Sequence, residues 1–149
     1  MDATARPSIQ KVMMTIARTM SERSTCARRQ VGCVLVNGRN HVLSTGYNGV
    51  PSGMRHCKGD QPCPGASLPS GTGLDACEAL HAEQNALLQC KDVYDIAYVF
   101  CTTAPCVTCT KLLLNTSAKT IYFDESYPHE AAARNLWLRA GRAWVKFVV

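Results

Sequence analysis

Two short runs in the middle of the chain limit its fold more than any other feature: His81-Ala82-Glu83 and Pro105-Cys106-Val107-Thr108-Cys109. One imidazole and two thiolates are borderline-soft donors that suit tetrahedral Zn(II) and leave its fourth position to water. For His81, Cys106 and Cys109 to share an ion, the intervening chain must depart and return, and its length accommodates one helix and one strand. Glu83 follows closely enough on His81 to handle protons on that water without being a ligand. A Pro-Cys-x-x-Cys alone also occurs in structural zinc ribbons and redox sites. The donor from a His-x-Glu triplet, with no nearby fourth thiol that clearly closes the set, points to an open, catalytic position.

The 149 residues suit a single domain spanning 1–149, long enough to bury a core without staples. No apolar run approaches the roughly 20 residues of a membrane span. The stretch from Met1 to Arg6 lacks the apolar region of a secretory signal, so the cytoplasm is the expected location. Nine cysteines are an odd number for a closed disulfide framework, and reduced thiols and metal ligands fit better. The net charge of +5 favours an anionic partner such as a nucleotide or nucleic acid, although it is spread along the chain.

Ile9, Val12, Met13, Ile16, Ala17 and Met20 recur at helical intervals after a Pro7-Ser8 start. Val31 to Val36 and His41 to Tyr47 flank Asn37-Gly38-Arg39-Asn40, which predicts an antiparallel hairpin. From Asn48 to Asp75 the chain is an irregular excursion rich in glycine, proline and cysteine, of a length that calls for a function or a pin. A helix is predicted from about Ala76 to Cys90, a buried strand from Ile96 to Cys101, a turn over Thr102 to Pro105 and a helix from Cys106 to Leu114. Lys119 to Phe123 reads as a strand, Pro128 to Ala140 as a helix ended by Gly141, and Ala143 to Val148 as a last strand. Two successive strand–helix units imply right-handed parallel crossovers. The expectation is a layered α/β domain with a mixed five-stranded sheet, its last three strands parallel. The metal then lies at the strands' carboxyl edge, its ligands on helix N-termini.

Together with His81-Ala82-Glu83-Gln84-Asn85-Ala86 and Pro105–Cys109, the runs Gln30-Val31-Gly32 and Ser44-Thr45-Gly46-Tyr47-Asn48-Gly49-Val50-Pro51-Ser52-Gly53 carry a resemblance. Over roughly residues 8 to 147 the chain resembles the dCMP deaminases of the zinc-dependent cytidine deaminase superfamily. The resemblance implies a three-layer αβα fold and a hydrolase that converts dCMP to dUMP and ammonia. It implies that His81, Cys106 and Cys109 hold zinc while Glu83 moves protons from water to N3 of cytosine and then to the departing amine. Ala82 resembles the backbone donor to the base carbonyl, Tyr127 the aromatic that stacks on the base, and Asn48 the ligand of the sugar hydroxyl. Arg28 is the candidate for the substrate phosphate, with Arg29 or a merely solvated role close behind.

In similar enzymes the GYNGxPxG loop forms a site at which dCTP activates and dTTP inhibits, which makes Gly46, Tyr47, Asn48, Gly49, Pro51 and Gly53 effector candidates. The alternative is a Gly/Pro turn that shapes the active-site rim. Arg55, His56 and Lys58 stand close enough to meet a triphosphate, though basic loop residues are commonly just solvated. Cys33, Cys90 and Cys101 read as ordinary buried thiols, whereas Cys26, Cys57, Cys63 and Cys77 form a candidate second, structural zinc site like one that relatives carry. Relatives are typically homohexamers; neither a membrane nor a nucleic-acid partner is expected. Two rival readings stay open: a deaminase of another nucleoside or tRNA base, and a zinc-pinned accessory module without turnover.

Overall fold

The computed structural model describes residues 5–26, 29–54, 56 and 78–147. Its elements run α1 (Ile9–Ser21), β1 (Gly32–Val36), β2 (Val42–Tyr47), α2 (Ala82–Gln89), β3 (Tyr98–Thr103), α3 (Val107–Leu114), β4 (Thr120–Glu125), α4 (Glu130–Arg139) and β5 (Ala143–Lys146). The sheet order is β2-β1-β3-β4-β5. β1 lies antiparallel to β2 and β3, while β3, β4 and β5 are parallel, as two successive helical crossovers require.

Period-2 alternation sorts the side chains into two cores. Cys33, Leu35, Val99, Cys101, Ile121 and Phe123 face the layer built from α2, α3 and α4, where they meet Ala82, Ala86, Leu113 and Trp137. Val34, Val36 and Phe100 face the other way and pack on Met13, Met14 and Ala17 of α1. The result is the expected αβα sandwich. A glycine permits close approach on each face of the hairpin. A Cβ on Gly32 would overlap the Ala17 carbonyl oxygen and stand 2.8 Å from the Ser21 nitrogen. One on Gly46 would overlap the Ala82 carbonyl oxygen and stand 2.5 Å from the Ala86 nitrogen.

Several local details depart from expectation. The buried face of α1 centres on Met13, Met14 and Ala17, whereas Ile9 and Val12 are exposed. Its close approach over Gly32 sets Ala17 against β1 and turns Met14 inward. The hairpin forms, but the left-handed residue is Asn40 (φ 64°) rather than Gly38. Asn37 Oδ1 organises the turn by accepting from the N–H groups of Arg39 at 2.9 Å and His41 at 3.0 Å. β3 runs on through Thr103, where a turn was expected. α2 begins at Ala82 instead of Ala76. Leu80 is held extended by exchanging backbone hydrogen bonds with Gly49, at 2.8 and 3.1 Å. Gly141 (φ 78°) ends α4 as expected.

Arg142 binds the far end of α3. Its Nη1 donates to the carbonyls of Leu113, Thr116 and Ala118, and its Nη2 to that of Leu114, over 2.8–3.4 Å. The guanidinium also lies 5.0 Å from the centroid of the Trp137 ring. These bonds satisfy carbonyls that a helix C-terminus otherwise leaves bare. No helix among the described residues is long and apolar enough to cross a membrane.

Candidate active site

Two helix starts meet where β3 ends. His81 is the N-cap of α2, in an extended conformation (φ −75°, ψ 156°), with its own N–H bound by Gln84 Oε1 at 2.8 Å. Cys106 is the N-cap of α3, and its Sγ accepts from the Cys109 N–H at 3.5 Å. Both thiols thus sit at the positive end of α3, where thiolate is favoured.

His81 Nδ1 lies 3.2 Å from Cys109 Sγ and 3.4 Å from Cys106 Sγ. All three donor atoms fall within 4.8 Å of one another. Bonds of about 2.0 Å to nitrogen and about 2.3 Å to sulfur at a tetrahedral angle place such donors roughly 3.6 Å apart. The triangle therefore fits zinc with only slight widening, and with Nδ1 as the ligating nitrogen.

Without metal, the hydrogen bond from Cys109 draws the Cys106 thiol down to about 4, against burial and with help from His81. Cys109 is pushed up by the same pairing and by its burial. The two sulfurs share a proton that a divalent cation displaces.

Glu83, in the first turn of α2, is only 3% exposed. Burial pushes its carboxyl up, while Cys109 and His81 pull it back. A carboxyl so placed can hold a proton closer to neutral pH than an exposed one. Beneath it, Cys33 and Cys101 pair across β1 and β3 with sulfurs 3.7 Å apart, fully buried. Donation to Cys33, and then burial, keep Cys101 protonated.

α2 is fastened to β2 on its other side. Ser44 Oγ donates to the Ala86 carbonyl, and Asn85 Nδ2 to that of Tyr47, each at 2.8 Å. A cavity of about 340 Å³ opens beside this seam, lined by Tyr47, Gly49, Pro51 and Gly53 of the loop and by Asn85 and Gln89 of α2.

The model of the cytidine and deoxycytidylate deaminase zinc-binding region matches residues 7–125. The chain belongs to this family. It is 39% identical over 140 residues to the deoxycytidylate deaminase of Schizosaccharomyces pombe, covering 91% of this chain and 43% of that protein. The chain thus spans less than half the length of that relative. To the deoxycytidylate deaminase of Mycobacterium phage D29 it is 35% identical over 130 residues, covering 81% of this chain and 98% of that one. The crystal structure of the dCMP deaminase from cyanophage S-TIM5 in complex with dCMP and dUMP superposes with a TM-score of 0.75 at 26% identity, covering 96% and 99% of the two chains. His81, Cys106 and Cys109 are accordingly the catalytic zinc site of a family member.

Other expected site residues fall into three groups. Ala82 is fully buried as the first residue of α2, and Tyr127 lies just past β4, packed against the core with its ring 6.2 Å from that of His129. Asn48 is 8% exposed and occupied on both arms: Nδ2 donates to the Arg29 carbonyl at 2.7 Å, and Oδ1 accepts from the Val31 N–H at 2.8 Å. Of the effector candidates, Tyr47, Gly49, Pro51 and Gly53 line the cavity, whereas Gly46 packs under α2. Arg28, Arg55, Lys58, Cys57, Cys63 and Cys77 lie outside the described residues; Cys26, the remaining candidate for a second zinc, is buried and unoxidised. Sequence reasoning overlooked Ser44 and Asn85. Both belong to motifs already quoted, but nothing local reveals that each reaches across to another element.

Proposed function

We propose that the chain hydrolyses dCMP to dUMP and ammonia. The observation that carries this reading is the triangle of His81 Nδ1 and two sulfurs with the buried carboxyl of Glu83 beside it. The cyanophage relative bound to dCMP and dUMP supports the choice of substrate. Zinc held by His81, Cys106 and Cys109 supplies a nucleophile near neutral pH by lowering the pKa of water in its open position.

Glu83 takes the proton that the water gives up, delivers it to N3 of the cytosine, and later carries one to the amine leaving C4. Water adds, ammonia departs, and the carboxylate returns to its starting state. The Ala82 N–H, in the first turn of α2 and so without an intrahelical acceptor, donates to the base carbonyl. Tyr127 stacks on the base. Asn48 reaches the sugar hydroxyl with the N–H and lone pair that its two backbone bonds leave. The phosphate falls to the Arg28-Arg29 pair.

Regulation by dCTP and dTTP is part of the same reading. The cavity beside the GYNG loop supports it, because a ligand there touches Asn85 and Gln89 on the helix that carries Glu83. We also propose a homohexamer, a cytoplasmic location and a second zinc held by Cys26, Cys57, Cys63 and Cys77. Metal quantitation checks the last: two zinc ions per chain support it and one sinks it.

The decisive assay follows ammonia release from dCMP, with and without dCTP or dTTP, beside cytidine, CMP and a tRNA anticodon stem. dCMP is expected to be the preferred substrate, with cooperative kinetics. Hyperbolic kinetics indifferent to both triphosphates remove the regulatory reading, and a zinc-loaded protein inert toward dCMP removes the substrate.

A further inference from the structure

Arg29 carries a charge with an unmet bond. Among the described residues, its Nη1 and Thr110 Oγ1 are the buried side-chain nitrogen and oxygen atoms with no hydrogen-bond partner. The ion pair described in the structure is Arg18 with Asp124, so no described carboxylate neutralises Arg29. A guanidinium cannot shed its proton to escape burial, and its fork matches paired oxygens of an anion.

Its position points the same way. Because β1 runs antiparallel to β3, the start of β1 shares the sheet edge at which β3 ends and the metal ligands follow. Gly32 N–H marks that junction by donating to Thr102 Oγ1 at 3.1 Å. Arg29 lies just beyond this start, and Asn48 clamps the backbone on both sides of Gln30 through the Arg29 carbonyl and the Val31 N–H. The residue is half-buried, so one part of the side chain meets solvent while Nη1 is sealed. A cation held at the mouth of a catalytic edge, with one donor kept from water, is arranged for an anionic group that arrives with the substrate.

We propose that Arg29 binds the 5′-phosphate of the pyrimidine nucleotide and thereby selects nucleotide over nucleoside. This assignment rests on the reading of the site as a nucleotide deaminase, and Asn48 serves in it as the positioning residue.

Product binding tests it without turnover. Calorimetry on the zinc-loaded full chain compares dUMP with deoxyuridine. The wild type binds dUMP more tightly. Arg29→Gln loses roughly 10- to 100-fold for dUMP and nothing for deoxyuridine, while Arg29→Lys, which keeps the charge but not the fork, falls between. Equal losses for the two ligands, an unchanged dUMP affinity in Arg29→Gln, or a wild type with no preference for dUMP each overturn the assignment. If Arg29→Gln does not fold, Arg29→Lys decides: a loss confined to dUMP supports the proposal, and no such loss refutes it. A protein that binds dUMP through Arg29 yet releases no ammonia from dCMP upholds the assignment and overturns the proposed reaction instead.

Discussion

Replacing Gly46 with alanine tests how closely the catalytic helix depends on its seat. The added Cβ overlaps the Ala82 carbonyl and stands 2.5 Å from the Ala86 nitrogen, both backbone atoms of α2 that no rotamer change can move aside. Restoring even a tight contact of 3.4 Å requires the helix to retreat by about 0.9 Å. Overpacking of this kind costs about 1–3 kcal/mol of stability. The functional effect is larger, because His81 caps α2 and Glu83 lies in its first turn. A retreat of about 1 Å is enough to lower catalysis by roughly 100-fold, and it stretches a triangle whose nitrogen–sulfur separations are 3.2 and 3.4 Å. The assay combines thermal melting, zinc retention against a chelator and steady-state ammonia release. Gly46→Ala is expected to stay folded, release zinc more readily and lose about two orders of magnitude in kcat. A variant with wild-type zinc retention and kcat would refute the idea that this contact positions the site.

Three further outcomes follow from the same geometry. Glu83→Gln keeps its zinc, since Glu83 is not among the ligands, but loses roughly 10²- to 10⁴-fold in kcat; unchanged turnover removes the proposed proton carrier. Zinc affinity rises with pH, because Cys106 is already thiolate above about 4 while Cys109 keeps a proton that zinc must displace. Acidification therefore weakens binding about tenfold per unit through the neutral range, and titrations in buffers of different ionisation enthalpy should find about one proton released per zinc. Arg142→Gln strips bonds from the end of α3 and should cost roughly 3 kcal/mol, or about 10 °C in melting temperature, while zinc stoichiometry stays unchanged; an unshifted melt argues that water replaces the guanidinium without cost.

The ligand set was legible because its signals are local: two cysteines at helical spacing after a proline, and a histidine beside a glutamate. Strand order also followed from local facts, a hairpin turn and two strand–helix repeats, through the handedness of crossovers. The start of α2 was misread for a reason that periodicity cannot detect. Ala79, Ala82 and Ala86 continue the helical pattern, yet the long-range backbone pair between Leu80 and Gly49 holds the chain extended up to His81. The roles of Gly46 and Arg142 were hidden in the same way, because each is defined by contact with an element distant in sequence. Arg28 and Arg29 are indistinguishable as letters, and only the buried Nη1 sets Arg29 apart among the described residues.

The grip of Arg142 on α3 bears on where this domain can be divided. A chain cut after β4 keeps His81, Glu83, Cys106 and Cys109, every group the chemistry uses. It would nevertheless expose the carbonyls of Leu113, Leu114, Thr116 and Ala118 and remove Trp137, which is fully buried in the core beneath the site. The thiolate helix would then have a metal at one end and no anchor at the other. The last helix and strand are therefore part of the smallest autonomous unit, and grafts or fusions that use this zinc centre must carry the chain through β5.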